Sequence, residues 1–217
     1  MEHIKAVFVD LDGTLVDSMS LLYEVYLSFL RGFGISGSKE EFNSLVGPSI
    51  PEVVLLLQKQ YQLPPDYTTL LQTYHSTLTQ KYVEEIQLFP DVKIFLKFIK
   101  KRGLKLLLVT SAQPFVAHAV IDRLDIRQFF DAVVTSEGLE RSKPDPAIYK
   151  RALGVAQVMP SEAIAIEDST SGMEAAVGAG IYPIWFKAGS LEYQEGKELV
   201  EAGSWRAILQ FFQDKVA

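Results

Sequence analysis

The sequence predicts an α/β protein: a doubly wound parallel sheet with a Rossmann-like core and an inserted α-helical subdomain. Short apolar runs alternate with amphipathic helical patterns along most of the chain, which is typical of parallel βαβ units. Between residues 16 and 85, however, the pattern is helical throughout. Because a crossover between parallel strands needs only about a dozen residues, we assign residues 1–15 and 86–217 to the core and residues 16–85 to the insert.

The first strand is expected at residues 4–9, where an apolar run leads into Asp10, and Asp12 and Gly13 follow. Carboxylates directly after a buried strand are costly unless they are paired or bind a metal ion. In open α/β sheets, the carboxyl ends of the strands are also where ligands bind. The sequence therefore predicts that Asp10 and Asp12 form the centre of an active site.

The insert begins with a helix, because Leu22, Val25 and Phe29 follow helical spacing and Gly32 ends the pattern. Breaks that contain proline or glycine separate the helical patterns that follow. These patterns predict helices at residues 40–46, 52–61 and 66–83.

From residue 89 onwards, strand and helix patterns alternate again. Apolar runs predict strands at residues 104–109, 132–134, 163–166 and 181–186. Helical patterns predict helices at residues 92–99, 114–124, 144–153, 171–179 and 205–212.

The composition excludes several classes of protein. Its 27 acidic residues outnumber 21 basic ones, so we expect no nucleic-acid partner. There is no cysteine, which excludes disulfides and thiol catalysis and fits a reducing compartment. We find neither a signal-peptide pattern nor a run of about 20 apolar residues. We therefore expect a cytoplasmic protein that is not bound to a membrane.

Groups that can contact a phosphate follow the second and third strands. Thr110 and Ser111 come directly after the second strand, and Lys143 lies in the loop after the third. Thr110 can donate a hydroxyl hydrogen bond, Ser111 a backbone N–H, and Lys143 a positive charge. Because the carboxyl ends of parallel strands meet at one edge, we expect these groups to share a crevice with Asp10 and Asp12.

Glu167 and Asp168, at the end of the fourth strand, add two carboxylates to the same edge. Together with Asp10 they offer the oxygen ligands that Mg²⁺ prefers. A metal ion, a lysine and hydroxyl groups around a carboxylate favour phosphoryl transfer. In such a site Asp10 can attack phosphorus to give an aspartyl-phosphate, and Asp12 can transfer protons.

Each of these groups has an ordinary structural explanation when it is taken alone. Asp10 and Asp12 could form a strand-end turn, and Thr110-Ser111 could cap the next helix. Lys143 could be a solvated surface lysine, and Glu167-Asp168 could complement a helix dipole. Their occurrence in this order, each at or after a strand end, favours a single phosphoryl-transfer site.

These segments resemble the four motifs of the haloacid dehalogenase-like hydrolase superfamily, and the resemblance covers essentially the whole chain. The helical insert likewise resembles the α-helical cap of this superfamily. The motif segments are Asp10-Leu-Asp-Gly-Thr-Leu-Val-Asp-Ser18, Val109-Thr-Ser111, Ser142-Lys-Pro-Asp-Pro146 and Ile166-Glu-Asp-Ser-Thr-Ser-Gly172.

The resemblance implies a role for each motif residue. Asp10 would be the nucleophile, and Asp12 the general acid and base. The implied ligands are Thr110 and Lys143 for the phosphate, and Asp10, the Asp12 carbonyl, Glu167 and Asp168 for Mg²⁺.

Within the superfamily, the chain is most similar to the β-phosphoglucomutase-like group of mutases and small-molecule phosphatases. Asp12 argues against dehalogenases and phosphonate hydrolases, which lack an aspartate at that position. We therefore expect a Mg²⁺-dependent phosphatase of a small phosphate monoester, such as a sugar phosphate. The polar positions of the mutase are apolar in this chain, at Leu22, Val46, Ile50, Ala112 and Pro114.

Other functions remain open. A β-phosphoglucomutase-type mutase has the same four motifs. A phosphate-accepting signalling module groups similar side chains, but it has no helical insert and its acceptor aspartate follows a middle strand. A catalytically idle binding module is a third alternative. In the phosphatase, we expect residues 46–51 of the cap to select the substrate. The sequence leaves the oligomeric state open, and a monomer is compatible with it.

Overall fold

A mostly parallel β-sheet forms the centre of the larger of the two units into which this computed structural model divides. The larger unit, called the core unit below, comprises Met1–Asp17 and Gln87–Ala217. The second, called the helical unit, comprises Ser18–Ile86. The structure describes residues 3–45, 50–188, 194–195 and 200–215.

The strands are β1 (Ala6–Val9), β2 (Lys105–Thr110), β3 (Ala132–Thr135), β4 (Ala163–Glu167), β5 (Tyr182–Phe186), β6 (Gln194–Glu195) and β7 (Val200–Ala202). Over the described ranges they form one seven-stranded sheet in the order β3-β2-β1-β4-β5-β7-β6. Every pairing is parallel except that between β6 and β7. β1 therefore lies between β2 and β4, so the residue that follows it is central on the carboxyl edge.

The helices are α1 (Ser18–Arg31), α2 (Lys39–Ser44), α3 (Ile50–Tyr61), α4 (Tyr67–Glu85), α5 (Val92–Lys101), α6 (Pro114–Arg123), α7 (Ala147–Ala156), α8 (Thr170–Gly178) and α9 (Trp205–Lys215). None of these described helices is both long enough and apolar enough to span a bilayer.

The core of the larger unit lies between the sheet and its flanking helices. All four residues of β1 are buried, as expected for a central strand covered on both faces. Phe8 and Val109 pack in one cluster with Tyr149 of α7. In α5, the Phe95 ring lies 5.0 Å from that of Trp205, at the start of α9. The predicted fold class, a doubly wound parallel sheet, is confirmed.

The helical unit has an apolar core of its own. Tyr26 and Phe29 of α1, Phe42 of α2, Leu57 of α3 and Tyr74 of α4 belong to one buried cluster. The Phe29 and Tyr74 rings are 5.1 Å apart in an edge-on arrangement. Each of the four helices thus contributes an apolar face to the same core, as their periodicity indicates.

The structure differs from the prediction at two short strands and at the start of α7, and one predicted segment lies mostly outside the described residues. The prediction missed β6 and β7, which are two and three residues long and too short to show an alternating pattern. The helix expected from residue 144 begins instead at Ala147, because Asp145 accepts a bond from the Ala147 N–H and forms a turn. In the predicted specificity segment 46–51, residues 46–49 lie outside the described ranges, while Ile50 and Pro51 begin α3.

Candidate active site

The residues that follow β1 and β4 lie side by side because the two strands are adjacent and parallel. Val9 pairs with Ile166 in the register of the sheet. The Asp10 N–H then donates to the Ile166 carbonyl over 3.1 Å. Asp10 thus extends the ladder at the level of Glu167, which ends β4.

Lys143 reaches this edge from the loop after β3. Its Nζ lies 2.6 Å from Asp10 Oδ1, 2.6 Å from Glu167 Oε1 and 3.1 Å from the Val109 carbonyl. The side chain is only 7% exposed, so the alternative of a solvated surface lysine is wrong. Burial favours the neutral amine, but the two carboxylate charges outweigh it and raise the pKa of Lys143 above its usual value.

Burial also controls the charges of the three neighbouring carboxylates. It raises the pKa of Asp10, and Lys143 offsets this effect only in part. Burial and then the charge of Asp10 raise the pKa of Glu167 to about 8. The same two causes raise the pKa of Asp168 to about 6. The carboxylates therefore repel one another, and a cation placed among them would be strongly stabilised.

The geometry of these carboxylates fits a divalent cation. One oxygen from each of Asp10, Glu167 and Asp168 lies within 4.8 Å of the others. Glu167 Oε2 is buried and has no hydrogen-bond partner among the described residues. Since hard cations such as Mg²⁺ prefer carboxylate oxygens, the donor set fits the predicted metal.

Two glycines leave room for these carboxylates. A Cβ on Gly13 would lie 2.0 Å from Asp168 Oδ2, and one on Gly172 would lie 2.0 Å from Glu167 Oε2. Gly13 also has a φ of +74°, a conformation that disfavours other residues. Any side chain at these two positions would displace a carboxylate of the site.

Asp12 lies in the turn that follows β1. Its backbone forms a bridge with Val16, and the Gly13 N–H donates to the Val16 carbonyl over 3.0 Å. The residue is half-buried. This turn places Asp12, two residues after Asp10 in the sequence, at the same carboxyl edge of the sheet.

Thr110 ends β2 and is buried, whereas Ser111 is exposed. The Thr110 hydroxyl accepts the Ala112 N–H over 3.0 Å and keeps its own hydrogen for donation. Neither Thr110 nor Ser111 caps α6, since Gln113 occupies that position. Ser111 and Gln113 also line a cavity of about 360 Å³ with Phe115, among others.

A sequence profile of the haloacid dehalogenase-like hydrolases matches residues 7–186. This chain belongs to that family. The match includes all four sequence motifs and also the helical unit between the first two of them. The resemblance that the motifs indicated is therefore confirmed.

Two proteins that are named as phosphatases match this chain over most of their length. A phosphorylated carbohydrates phosphatase of Thermotoga maritima is 31% identical over 93% of this chain and 92% of that protein. A glyceraldehyde 3-phosphate phosphatase of Pyrococcus furiosus is 29% identical, with coverages of 92% and 90%. The predicted enzyme class, a phosphoric monoester hydrolase, is confirmed.

The fold is also shared with solved members of the family. A candidate β-phosphoglucomutase of Thermotoga maritima superposes with a TM-score of 0.88 at 27% identity, over 98% of this chain and 100% of that chain. A hydrolase of the superfamily from Geobacter sulfurreducens superposes with a TM-score of 0.79 at 20% identity, over 97% of both chains. The second match supports the fold alone.

The sequence interpretation missed Tyr149, although this hydrolase places it at the centre of the site. The hydroxyl of Tyr149 donates to Glu167 Oε1 over 2.5 Å. Burial and the charge of Glu167 raise the pKa of Tyr149 well above its usual value, so it stays protonated. Tyr149 belongs to the apolar stripe of α7, and no pattern distinguishes it from an ordinary core residue.

Three further residues of this hydrolase, also missed, contact its motif loops. The Thr14 hydroxyl donates to Asp168 Oδ1 over 3.2 Å. The indole N–H of Trp185 donates to the Asp168 carbonyl over 3.0 Å, and that of Trp205 to the Thr14 carbonyl over 2.9 Å. Thr14 follows Gly13 within the first motif, which is a signal that could have identified it. Neither tryptophan lies near a motif in the sequence.

Proposed function

We propose that this protein is a Mg²⁺-dependent phosphatase that hydrolyses a small phosphate monoester, a sugar phosphate or a similar metabolite, through an aspartyl-phosphate. One observation carries the proposal: buried Lys143 bridges Asp10 and Glu167 beside Asp168 at the centre of the carboxyl edge. The named activities of the Thermotoga and Pyrococcus relatives support a phosphorylated carbohydrate or triose as the substrate.

In the proposed reaction, Asp10 is the nucleophile. Lys143 holds Asp10 Oδ1, which leaves the other oxygen to attack phosphorus. As the new O–P bond forms, the bond to the leaving alcohol breaks, and Asp12 gives that alcohol its proton. Asp12 then accepts a proton from water, which attacks phosphorus and releases phosphate and the free Asp10 carboxylate.

The remaining residues neutralise and orient the phosphate. Lys143 balances negative charge as the transferring group passes through its transition state. Thr110 donates its hydroxyl, and Ser111 its backbone N–H, to phosphate oxygens. When bound, Mg²⁺ would supply further charge neutralisation at the phosphoryl oxygens. The residues that would hold it are Asp10, Glu167, Asp168 and the carbonyl of Asp12.

We assign the helical unit the role of a cap. A cap that closes over the phosphate excludes water until the leaving group has departed. We propose that residues 46–51, which contain no charged side chain, select the substrate. This segment favours an uncharged leaving group over one that carries a second phosphate.

A phosphate-release assay over a panel of phosphorylated sugars, polyols, trioses and phosphoglycolate tests the proposed function. We expect steady release that needs Mg²⁺ and stops when EDTA is added. If no substrate gives steady, Mg²⁺-dependent release, the proposal is wrong. If β-glucose 1-phosphate is converted to glucose 6-phosphate faster than phosphate appears, the protein is a mutase rather than a phosphatase.

A further inference from the structure

Both tryptophans of this chain contact the backbone of a loop at the active site. The sequence contains two tryptophans. Trp185 donates its indole N–H to the Asp168 carbonyl over 3.0 Å, and Trp205 donates to the Thr14 carbonyl over 2.9 Å. Each indole thus holds one of the two loops that carry the first and the fourth motif.

The two loops meet at the Asp168 side chain. The Thr14 hydroxyl donates to Asp168 Oδ1 over 3.2 Å. On the other side of the carboxylate, Asp168 Oδ2 occupies space that is open because residue 13 is glycine. A Cβ on Gly13 would lie 2.0 Å from this oxygen. Asp168 is therefore held at its carbonyl by Trp185 and at its carboxylate by Thr14, which Trp205 holds in turn.

The indoles are themselves held in rigid surroundings. Trp185 lies in β5 and pairs with Glu167 across the parallel ladder. Trp205 is 1% exposed, and its ring lies 5.0 Å from that of Phe95 and 5.6 Å from that of Phe186. A donor whose motion is restricted fixes its acceptor more tightly than a mobile one.

We propose that Trp185 and Trp205 are positioning residues that orient Asp168 toward a divalent cation, Trp185 directly and Trp205 through Thr14. This inference rests on the proposed function, in which Asp168 is a metal ligand. Outer partners of metal ligands fix ligand orientation, and their loss commonly weakens metal binding by about 10- to 100-fold. Neither indole contacts the reacting atoms in the proposed reaction.

A packing role for Trp185 makes a different prediction. Its ring also makes a cation–π contact with Lys187, whose Nζ lies 4.1 Å from the ring centre. The same Nζ lies 2.9 Å from Glu201 Oε1. If the ring alone mattered, phenylalanine would replace Trp185 without loss of metal affinity. If the N–H matters, phenylalanine loses the donor and the metal affinity falls.

The test measures Mg²⁺ binding by isothermal titration calorimetry in the wild-type protein, in Trp185→Phe and in Lys187→Met. We expect the dissociation constant to rise about 10-fold or more in Trp185→Phe. In Lys187→Met, which keeps the indole N–H, it should not change. Because Trp205 is the remaining tryptophan of Trp185→Phe, its emission also reports whether Mg²⁺ alters the site.

Equal Mg²⁺ affinity in Trp185→Phe and the wild-type protein would overturn the inference while leaving the proposed function intact. If the wild-type protein bound no Mg²⁺, both would fall. Should Trp185→Phe fail to fold, Thr14→Val and Thr14→Ser decide, since only serine keeps the hydroxyl donor. Weaker binding in Thr14→Val with recovery in Thr14→Ser supports the inference, and wild-type affinity in both variants overturns it.

Discussion

At the scale of single residues, Lys143 determines how the site tolerates so much buried charge. Three carboxylates lie close together, and each has a raised pKa because burial disfavours its charged form. Lys143 contacts two of them and is itself nine-tenths buried. A buried pair of this kind contributes little net stability, but the loss of one partner is costly. The lysine therefore favours the ionised form of Asp10, which the proposed nucleophile needs, although burial still raises the pKa of Asp10.

The first prediction concerns the nucleophile. Asp10→Asn should lower turnover by about 10⁴-fold or more, because an amide cannot form the aspartyl-phosphate. The fold should persist, since Lys143 keeps its second partner, Glu167, and asparagine preserves the shape of the side chain. Phosphate release and circular dichroism measure the two effects. Asp122→Asn, at an exposed position on α6, is the matched control and should stay active.

An active Asp10→Asn enzyme would contradict covalent catalysis by this residue. A variant that had lost its structure would instead say nothing about chemistry, so binding of inorganic phosphate to Asp10→Asn is measured as well. We expect this binding to persist, because Lys143 keeps its bond to Glu167 and the Thr110 hydroxyl group is unchanged.

At the scale of elements, α8 illustrates how a site can reverse an ordinary helix preference. In a helix interior, alanine is more stable than glycine by about 1 kcal/mol. At Gly172, however, a Cβ would lie 2.0 Å from Glu167 Oε2. The clash must displace either the carboxylate or the helix.

The second prediction follows from this contact. Gly172→Ala should lower the free energy of unfolding and weaken Mg²⁺ binding, despite the better helix propensity of alanine. Gly154→Ala in α7 is the matched control, because a Cβ there meets nothing within 4 Å. It should raise stability by about 0.5–1 kcal/mol. Urea denaturation and calorimetry measure both effects, and equal stabilisation by the two substitutions would contradict the clash.

The helical unit is held together by an acidic residue rather than by apolar contacts alone. Glu41 of α2 accepts hydrogen bonds from the hydroxyl groups of Tyr26 and Tyr61 and from the amide of Gln60. The bond to Gln60 measures 2.6 Å and that to Tyr61 2.7 Å. This carboxylate thus connects α2 to α1 and α3. Burial and the bond to Glu41 raise the pKa of Tyr26, so its hydroxyl remains a donor.

The third prediction tests this connection. Glu41→Ala should leave the buried Tyr26 hydroxyl without its acceptor and cost about 1–3 kcal/mol. Amide hydrogen exchange should accelerate in Ser18–Ile86 and stay unchanged at the strands of the core unit. Mg²⁺ affinity should also stay unchanged, since the proposed ligands lie in the core unit. Faster exchange throughout both units would show that they unfold together.

At the scale of the whole molecule, the order of the strands brings distant residues together. β1 and β4 are adjacent although Asp10 and Asp168 are far apart in sequence. A metal ion shared by Asp10, Glu167 and Asp168 would therefore link the first and fourth motifs of the chain. Such a link stabilises the folded protein as a whole, because the unfolded chain does not hold these residues together.

The fourth prediction concerns this linkage. Mg²⁺ at about 100 times its dissociation constant should stabilise the wild-type protein by about 2.7 kcal/mol. Asp168→Asn should lose most of this increment, because the amide is a poorer ligand. Thermal unfolding with Mg²⁺ or with EDTA measures it. An increment of the same size in Asp168→Asn would show that the ion binds elsewhere.

Much of the core and of the site could be predicted from local patterns. Asp10, Asp12, Thr110, Glu167 and Asp168 each follow or end a buried apolar run, which the sequence makes visible. The carboxyl ends of parallel strands share one edge, so their approach to one another was predictable. The short strands β6 and β7 were not predictable, since two or three residues show no periodicity.

The sequence by itself determined the fold class, the order along the chain of the helices and the five longer strands, and the motif residues expected at the carboxyl edge. The tertiary structure alone decided that Lys143 is buried between Asp10 and Glu167, that Tyr149 contacts Glu167, and that both tryptophans donate to the motif loops. The physical reason is that apolar periodicity records which face of an element is buried. It does not record which polar atom a buried hydroxyl, ammonium or indole group meets there.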